Sequence, residues 1–191
     1  MQRVLIDANV LYPTVLREVV LAVARRGLFA PLWSARLLDE WRHVAARGGD
    51  EHAAIAGADI ALLRDRWPLA QIAPDPALEA TLSLPDENDT HVLAAAITGR
   101  ADLILTQNLR DFPPRTLARF GLSRIDPDRF LMALLERAPE DVLAAADAIW
   151  QRARAFPQSP PTRRALLKKA GLSGLGRALE RRSSSDESGE N

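Results

Sequence analysis

Apolar positions fall in two different rhythms along this chain. Val4-Leu5-Ile6 and Leu103-Ile104-Leu105 are short unbroken apolar runs, closed by Asp7 and Thr106. Such runs predict strands buried on both faces, as in a parallel sheet. Elsewhere apolar residues recur at helical spacing. Pro13-Thr14 opens a helix through Val15, Leu16, Val19, Val20, Val23 and Ala24, which stops at Arg25-Arg26-Gly27. Ser34 caps a second helix from Ala35 to about Ala46, and a third covers Glu51 to Arg66, ending before Pro68. A fourth carries Thr90 to Ile97 and ends at Gly99. Leu28 to Trp33 reads as a short apolar connector, and Pro74-Asp75-Pro76 and Leu84-Pro85-Asp86 as proline-spaced connections. Strands separated by helices, with no hairpin signal, predict an α/β class: a three-layer α/β/α arrangement around a mostly parallel sheet.

After Asp126-Pro127 the pattern turns wholly helical. Phe130 to Arg137 and Pro139 to Phe156 form two segments, and one or two basic helices follow the Pro160-Pro161 break up to Arg182. The expected organisation is an α/β domain over 1–126, a helical extension over 127–182, and a polar, disordered tail over 183–191.

Composition removes several chemistries. There is no cysteine, which excludes disulfide scaffolds, thiolate zinc sites, iron–sulfur clusters and cysteine nucleophiles together. His43, His52 and His91 leave little for an imidazole-built metal site. At 191 residues and 47% hydrophobic content the chain can bury a core without such staples. Lys plus Arg equals Asp plus Glu at 25 each, but the balance is uneven along the chain. Acidic residues outnumber basic ones over 1–100, whereas Gln151 to Arg182 holds nine basic residues and only Glu180 as an acid. The N-terminus enters Arg3-Val4-Leu5-Ile6-Asp7 directly, with no leader-like segment, and no apolar stretch approaches the roughly 20 residues that cross a bilayer. A cytoplasmic protein that does not enter membranes is the expectation.

Four places could carry chemistry. Asp7 closes a central strand, where open α/β sheets bind ligands, although it could also simply cap the turn that follows. Glu40 lies at the edge of the stripe set by Leu37, Leu38 and Trp41, whereas Asp39 should point further outward. Asp86, Glu87 and Asp89 crowd one helix entrance, and three acids within four residues exceed what a cap requires. Asp89 is the best placed of them to face the crevice. Thr106-Gln107-Asn108-Leu109-Arg110-Asp111 closes the second strand, and Asn108 or Asp111 could add a further oxygen ligand. Carboxylates that converge repel one another, and a hard divalent cation is the usual resolution; oxygen donors favour Mg²⁺ or Mn²⁺.

The segments LIDANVLYP, SARLLDEW, DENDTHVLAAA and LTQNLRDFP, in this order, resemble the PIN-domain family of metal-dependent ribonucleases, and within it the VapC-type toxins of toxin–antitoxin pairs. The resemblance runs through nearly all of 1–126, and the helical extension resembles one carried by a subgroup of these toxins. It implies Asp7, Glu40 and Asp89 as metal ligands for Mg²⁺ or Mn²⁺. It also puts Asn108 where many relatives carry aspartate, with Asp111 three residues on as a substitute, and Thr106 at a small hydroxyl position near the metal that could orient water. An RNA substrate, a cognate antitoxin and a homodimer are further implications of the resemblance.

Three other readings compete. A haloacid-dehalogenase-like phosphatase would want a second aspartate where this chain has Asn9, and a lysine near the site, whereas Lys168 and Lys169 both lie in the extension. A nucleotide-binding module would want a glycine-rich loop after the first strand. A PIN-like domain that binds RNA or a protein partner without cutting is kept open by Asn108. The basic extension could contact RNA through Arg163, Arg164, Lys168 and Lys169, or present a solvated face around Leu166, Leu167, Leu172, Leu175 and Leu179.

Overall fold

Five strands, each parallel to its neighbours, make one sheet. The computed structural model describes residues 1–158 and 160–188, with side chains described up to Arg182. The strands are β1 (Arg3–Ile6), β2 (Ala30–Ser34), β3 (Gln71–Ile72), β4 (Leu103–Leu105) and β5 (Ser123–Ile125). Val4, Leu5, Ile6, Ile104 and Leu105 are fully buried, as an apolar run covered on both faces should be. Val4 pairs with Leu103 and Ile6 with Leu105, so the carboxyl ends of β1 and β4 are level. The order runs outward to β2 and β3 on one side of β1 and to β4 and β5 on the other. The reversal between β1 and β4 is the switch point where such sheets open a crevice.

The chain divides into two compact units, residues 1–12 with 29–126, and residues 13–28 with 127 onward. The first holds the sheet with α1 (Ala8–Leu11), α3 (Ala35–Ala46), α4 (Asp50–Arg66), α5 (Pro76–Glu79), α6 (Thr90–Thr98) and α7 (Pro114–Ala118). Two 3-10 turns, Glu87–Asp89 and Leu109–Asp111, complete it. In α6 His91 to Ala96 are all buried, and the helix ends at Gly99. A Cβ at Gly99 would meet Ala95 O at 2.9 Å and Ile72 Cγ1 at 3.0 Å, so this close approach needs glycine.

The second unit gathers α2 (Thr14–Arg25), α8 (Pro127–Arg137), α9 (Pro139–Ala153), α10 (Arg163–Lys169) and α11 (Ser173–Ser188). Eight of the twelve residues of α2 are buried, and within this unit it packs against α8, α9 and α10. Glu18 Oε2 takes a hydrogen bond from Arg152 Nη2 at 2.8 Å, and Arg26 Nη1 reaches Asp141 Oδ1 at 2.9 Å. Asp128 accepts from the N–H groups of Gly174 (2.7 Å) and Leu175 (2.9 Å), which caps α11 from outside that helix. Of the expected tail, the α11 backbone reaches Ser188, and 189–191 lie outside the described residues. Among the described residues no helix is long and apolar enough to cross a membrane.

The segment from Leu28 to Trp33, expected as a connector, holds all of β2 but its last residue, Ser34, and the short strands β3 and β5 and the helices α1 and α5 join the two strands read from sequence. The class is the expected one, α/β/α around a parallel sheet with a helical C-terminal part.

Candidate active site

The level ends of β1 and β4 fix the first site residues. Asp7 donates its backbone N–H to Leu105 O at 3.0 Å, and Thr106 donates its own to Ile125 O at 3.1 Å. These continuations of the ladders set the two side chains against each other. The Thr106 hydroxyl donates to Asp7 Oδ2 at 2.7 Å and accepts from Asn9 Nδ2 at 3.1 Å and from the Asn108 N–H at 2.9 Å. Its one proton is therefore spent on holding Asp7. Asn9 Nδ2 also donates to Asp7 Oδ2 at 2.7 Å, and Asn9 Oδ1 accepts from the Gln107 N–H at 3.0 Å. Asp7 is only 6% exposed. Burial pushes its pKa up and nearby Glu40 adds to this, against the pull of Thr106, the Ala8 N–H and His91.

Helix α3 supplies the next carboxylate. Ser34 accepts from the Leu37 N–H at 3.2 Å to start the helix, whose buried Leu37, Leu38 and Trp41 turn Glu40 to the edge of the apolar stripe. Asp39 instead faces outward and pairs with Arg42 at 3.0 Å. Glu40 Oε1 lies 2.9 Å from His91 Nε2 and 3.6 Å from Arg36 Nε. The His91 side chain is 3% exposed, and its Nδ1 has no hydrogen-bond partner. The tautomer with its proton on Nε2 leaves only an acceptor unsatisfied at Nδ1, so His91 donates to Glu40.

Two 3-10 turns bring in the remaining acids. Asp86 accepts from the Asn88 N–H at 2.9 Å and opens the Glu87–Asp89 turn. Asp86, Asp89 and Asp111 each offer an oxygen within 4.8 Å of the others. Asn108 Nδ2 donates to Asp111 Oδ2. Desolvation raises the Asp89 pKa to about 6, helped by the charges of Asp7, Asp111 and Asp86.

A cavity of about 600 Å³ opens among these groups, lined by Asp7, Glu40, Asp89 and Asn108. Asp111 adjoins it through Asp89 and Asn108, and Thr106 is fully buried behind Asp7. The six residues singled out by sequence thus meet in one neighbourhood. Three others join them that the chain alone does not place in the site, Asp86 among them although it shares the acidic crowding with Asp89. Asn9 braces Asp7, His91 braces Glu40, and Asp86 joins Asp89 and Asp111. The crowding of acids from Asp86 to Asp89 was the available signal for Asp86, and a histidine opening an apolar helix was a weak one for His91.

The donor set suits a hard divalent cation. None of Asp7, Asp86, Asp89 and Asp111 forms an ion pair among the described residues, and Glu40 brings a further carboxylate to the same cavity. Carboxylates this close, two of them with raised pKa, are short of positive charge.

Comparison with known proteins gives the family. A family model described as PIN domain matches residues 3–110. The chain is 44% identical over 48 residues to a Mycobacterium tuberculosis protein named "Putative ribonuclease VapC50". That alignment covers 25% of this chain and 28% of the relative, so the chain matches little more than a quarter of its length. No solved structure matches the chain. With more than half its length matched, and with the acids in place at the end of the central strand, the chain belongs to the PIN domain family.

Proposed function

We propose that this protein is a Mg²⁺- or Mn²⁺-dependent endoribonuclease, the toxin of a toxin–antitoxin pair. The carrying observation is the buried, ion-pair-free Asp7 beside Glu40, Asp89 and Asn108 in a single cavity at the switch point of the sheet. Family membership and the name of the partial relative support the same reaction class. Asp7, Glu40 and Asp89 would hold the ion, with Asp86, Asp111 and Asn108 beside them. When bound, the ion supplies Lewis acidity, lowering the pKa of water and drawing charge from the phosphate. Thr106 and Asn9 keep Asp7 aimed by donating to Oδ2, and His91 keeps Glu40 aimed by donating to Oε1. The Thr106 and Asn9 braces are neutral, so they fix Asp7 without cancelling the charge that the site needs. The reading puts the protein in the cytoplasm with its RNA substrate, held in check by a cognate antitoxin protein that covers the cavity or its rim.

The test is cleavage of a mixed cellular RNA pool by purified protein with Mg²⁺ or Mn²⁺, with chelator, and with Asp7→Asn alongside. Discrete metal-dependent cuts that vanish in the variant are expected. A folded wild-type protein that cuts nothing under any condition would turn the reading towards a domain that binds RNA or a partner without cleavage.

A further inference from the structure

Within the second unit, the two ends of α9 carry a groove and a knob of matching chemistry. The groove, of about 630 Å³, opens where α9 starts beside α8 and α11. Met132, Leu135 and Leu143 give it an apolar floor. Glu136 and Glu140 form an acidic edge on the side of α8 and α9, and Arg182 a cationic edge on α11. Neither Glu136 nor Glu140 forms an ion pair among the described residues. The knob is Phe156, just past the other end of α9 and 67% exposed. Its N–H donates to Ala153 O at 3.0 Å, and the Pro157 that follows narrows its backbone, so the ring is held out in an ordered turn. Two residues earlier, Arg154 lies over Trp150 with its Cζ 5.9 Å from the ring centroid, and it forms no ion pair among the described residues. A lone exposed ring is ordinary on a protein surface. A ring beside an unpaired cation, on the same helix as an apolar groove edged by unpaired acids, is one half of a complementary contact.

We infer that two copies of this chain associate through this face, Phe156 of each seated in the apolar groove of the other and Arg154 paired with the partner's Glu140. One copy cannot make the contact by itself, because Glu140 and Arg154 are about 21 Å apart along the helix at 1.5 Å rise per residue. Laid antiparallel about a twofold axis at the middle of α9, the end of one helix lies on the start of the other. Both knob-and-groove contacts and both ion pairs then form at once. Ala148 is exposed near that midpoint and puts little bulk between the helices, and the charge of its neighbour Asp147 is already met by Arg163. The acids on one edge of the groove and Arg182 on the other set the side on which the arginine enters. Each copy gives a knob and takes one, so the contact closes at two copies and grows no filament. Nothing in it depends on the reaction at the first unit.

Sedimentation velocity of the full chain over a concentration series, in chelator, measures the association. A monomer–dimer equilibrium with a dissociation constant on the order of micromolar is expected. Phe156→Ala, at a position where the monomer buries little, is expected to raise that constant about tenfold. Glu140→Arg and Arg154→Glu each set like charges face to face and are expected to weaken the dimer by about as much. Combined, they restore the pair with its signs exchanged and should recover most of the wild-type association. A wild-type chain that stays monomeric up to about 100 µM would overturn the inference. A dimer that Phe156→Ala leaves within about twofold would overturn it too, because the copies then meet elsewhere. A double reversal no tighter than the single ones would overturn the ion pair that orients the two copies. Thermal melting of each variant keeps a loss of folding from being counted as a loss of contact.

Discussion

The two units of this protein spend charge in opposite ways. In the second unit acids and bases meet in pairs: Glu18 with Arg152, Arg26 with Asp141, Arg163 with Asp147, and Arg164 with Glu180. In the first unit the acids around the cavity meet one another. Asp86, Asp89 and Asp111 crowd together, and the side chain of buried Asp7 is held by the neutral donors Asn9 and Thr106. Paired charges tie helices together and cost little. Crowded like charges cost stability, and the natural reason for a fold to keep them is a cation or a reaction. The same contrast tempers the basic extension as an RNA surface. Arg163 and Arg164 are already engaged with acids of their own unit, and Lys168 and Lys169 have no such partner among the described residues.

The sharpest way to break the contrast is to neutralise Asp7. Asp7→Asn keeps an oxygen that can accept from Thr106 and Asn9, so the fold should persist. RNA cleavage is expected to fall by at least a hundredfold, the scale of losing one charge contact to a transition state. In chelator the melting temperature is expected to rise, because the carboxylate is buried and its pKa is raised in the fold. An activity assay and a melting curve on the same sample check both. A variant that is inactive and less stable would mean that Asp7 serves the fold.

His91 sharpens the comparison one layer out. His91→Leu removes the donor to Glu40 and is expected to weaken Mn²⁺ binding by about 10- to 100-fold, as bracing residues around metal ligands do. His91→Gln can place an amide N–H near the same point and should recover part of the loss. Titration calorimetry with Mn²⁺ reads this without any cleavage step. Equal affinity in all three proteins would leave His91 as a core residue that happens to touch Glu40.

The raised pKa of Asp89 gives the contrast a pH signature. The folded value is about 6 against 3.8 for the free side chain, so the folded state takes up the proton first as pH falls. Metal-free protein therefore carries a penalty above pH 6 that fades between 6 and 3.8. Asp89→Asn removes the penalty, so in chelator it is expected to melt higher than the wild type at pH 7.5. By pH 4.5 the advantage should have largely gone. A constant difference across that range would mean that Asp89 titrates normally.

Much of this site could be read from the chain because its parts are local. Apolar runs that end in Asp7 and Thr106 mark buried strands, and the α3 stripe distinguishes Glu40 from Asp39 without any coordinates. What was hidden depends on distant partners. β2 contains Pro31, which lacks a ladder donor and argues against a strand. Trp33 donates to Ala70 and pairs with Gln71, the first residue of β3, so Pro31, two residues earlier on the same side, precedes that pairing and its missing N–H costs nothing. β5 is three residues, Ser123-Arg124-Ile125, with no apolar run to announce it. Asp86 and Asp111 are 25 positions apart, and only two 3-10 turns bring their oxygens together. The placement of α2 is the largest hidden feature. It lies inside the segment that matches the PIN domain, yet it folds with helices that follow residue 126. Its apolar stripe says that it is buried but not against what.

The smallest expected effect lies in the second unit and completes the comparison. Arg26 and Asp141 form a 2.9 Å pair whose side chains are 39% and 43% exposed. Water already screens both charges, and holding two flexible side chains together offsets most of the attraction. Asp141→Asn is therefore expected to lower stability by no more than about 0.5 kcal/mol in denaturant unfolding, and to leave Mn²⁺ affinity unchanged. The sign matters more than the size. Removing an acid from a paired site loses a little stability, whereas removing Asp7 from the crowded one gains some. If both substitutions shifted stability in the same direction, the cavity acids would be ordinary structural charges, and their convergence would no longer argue for a cation.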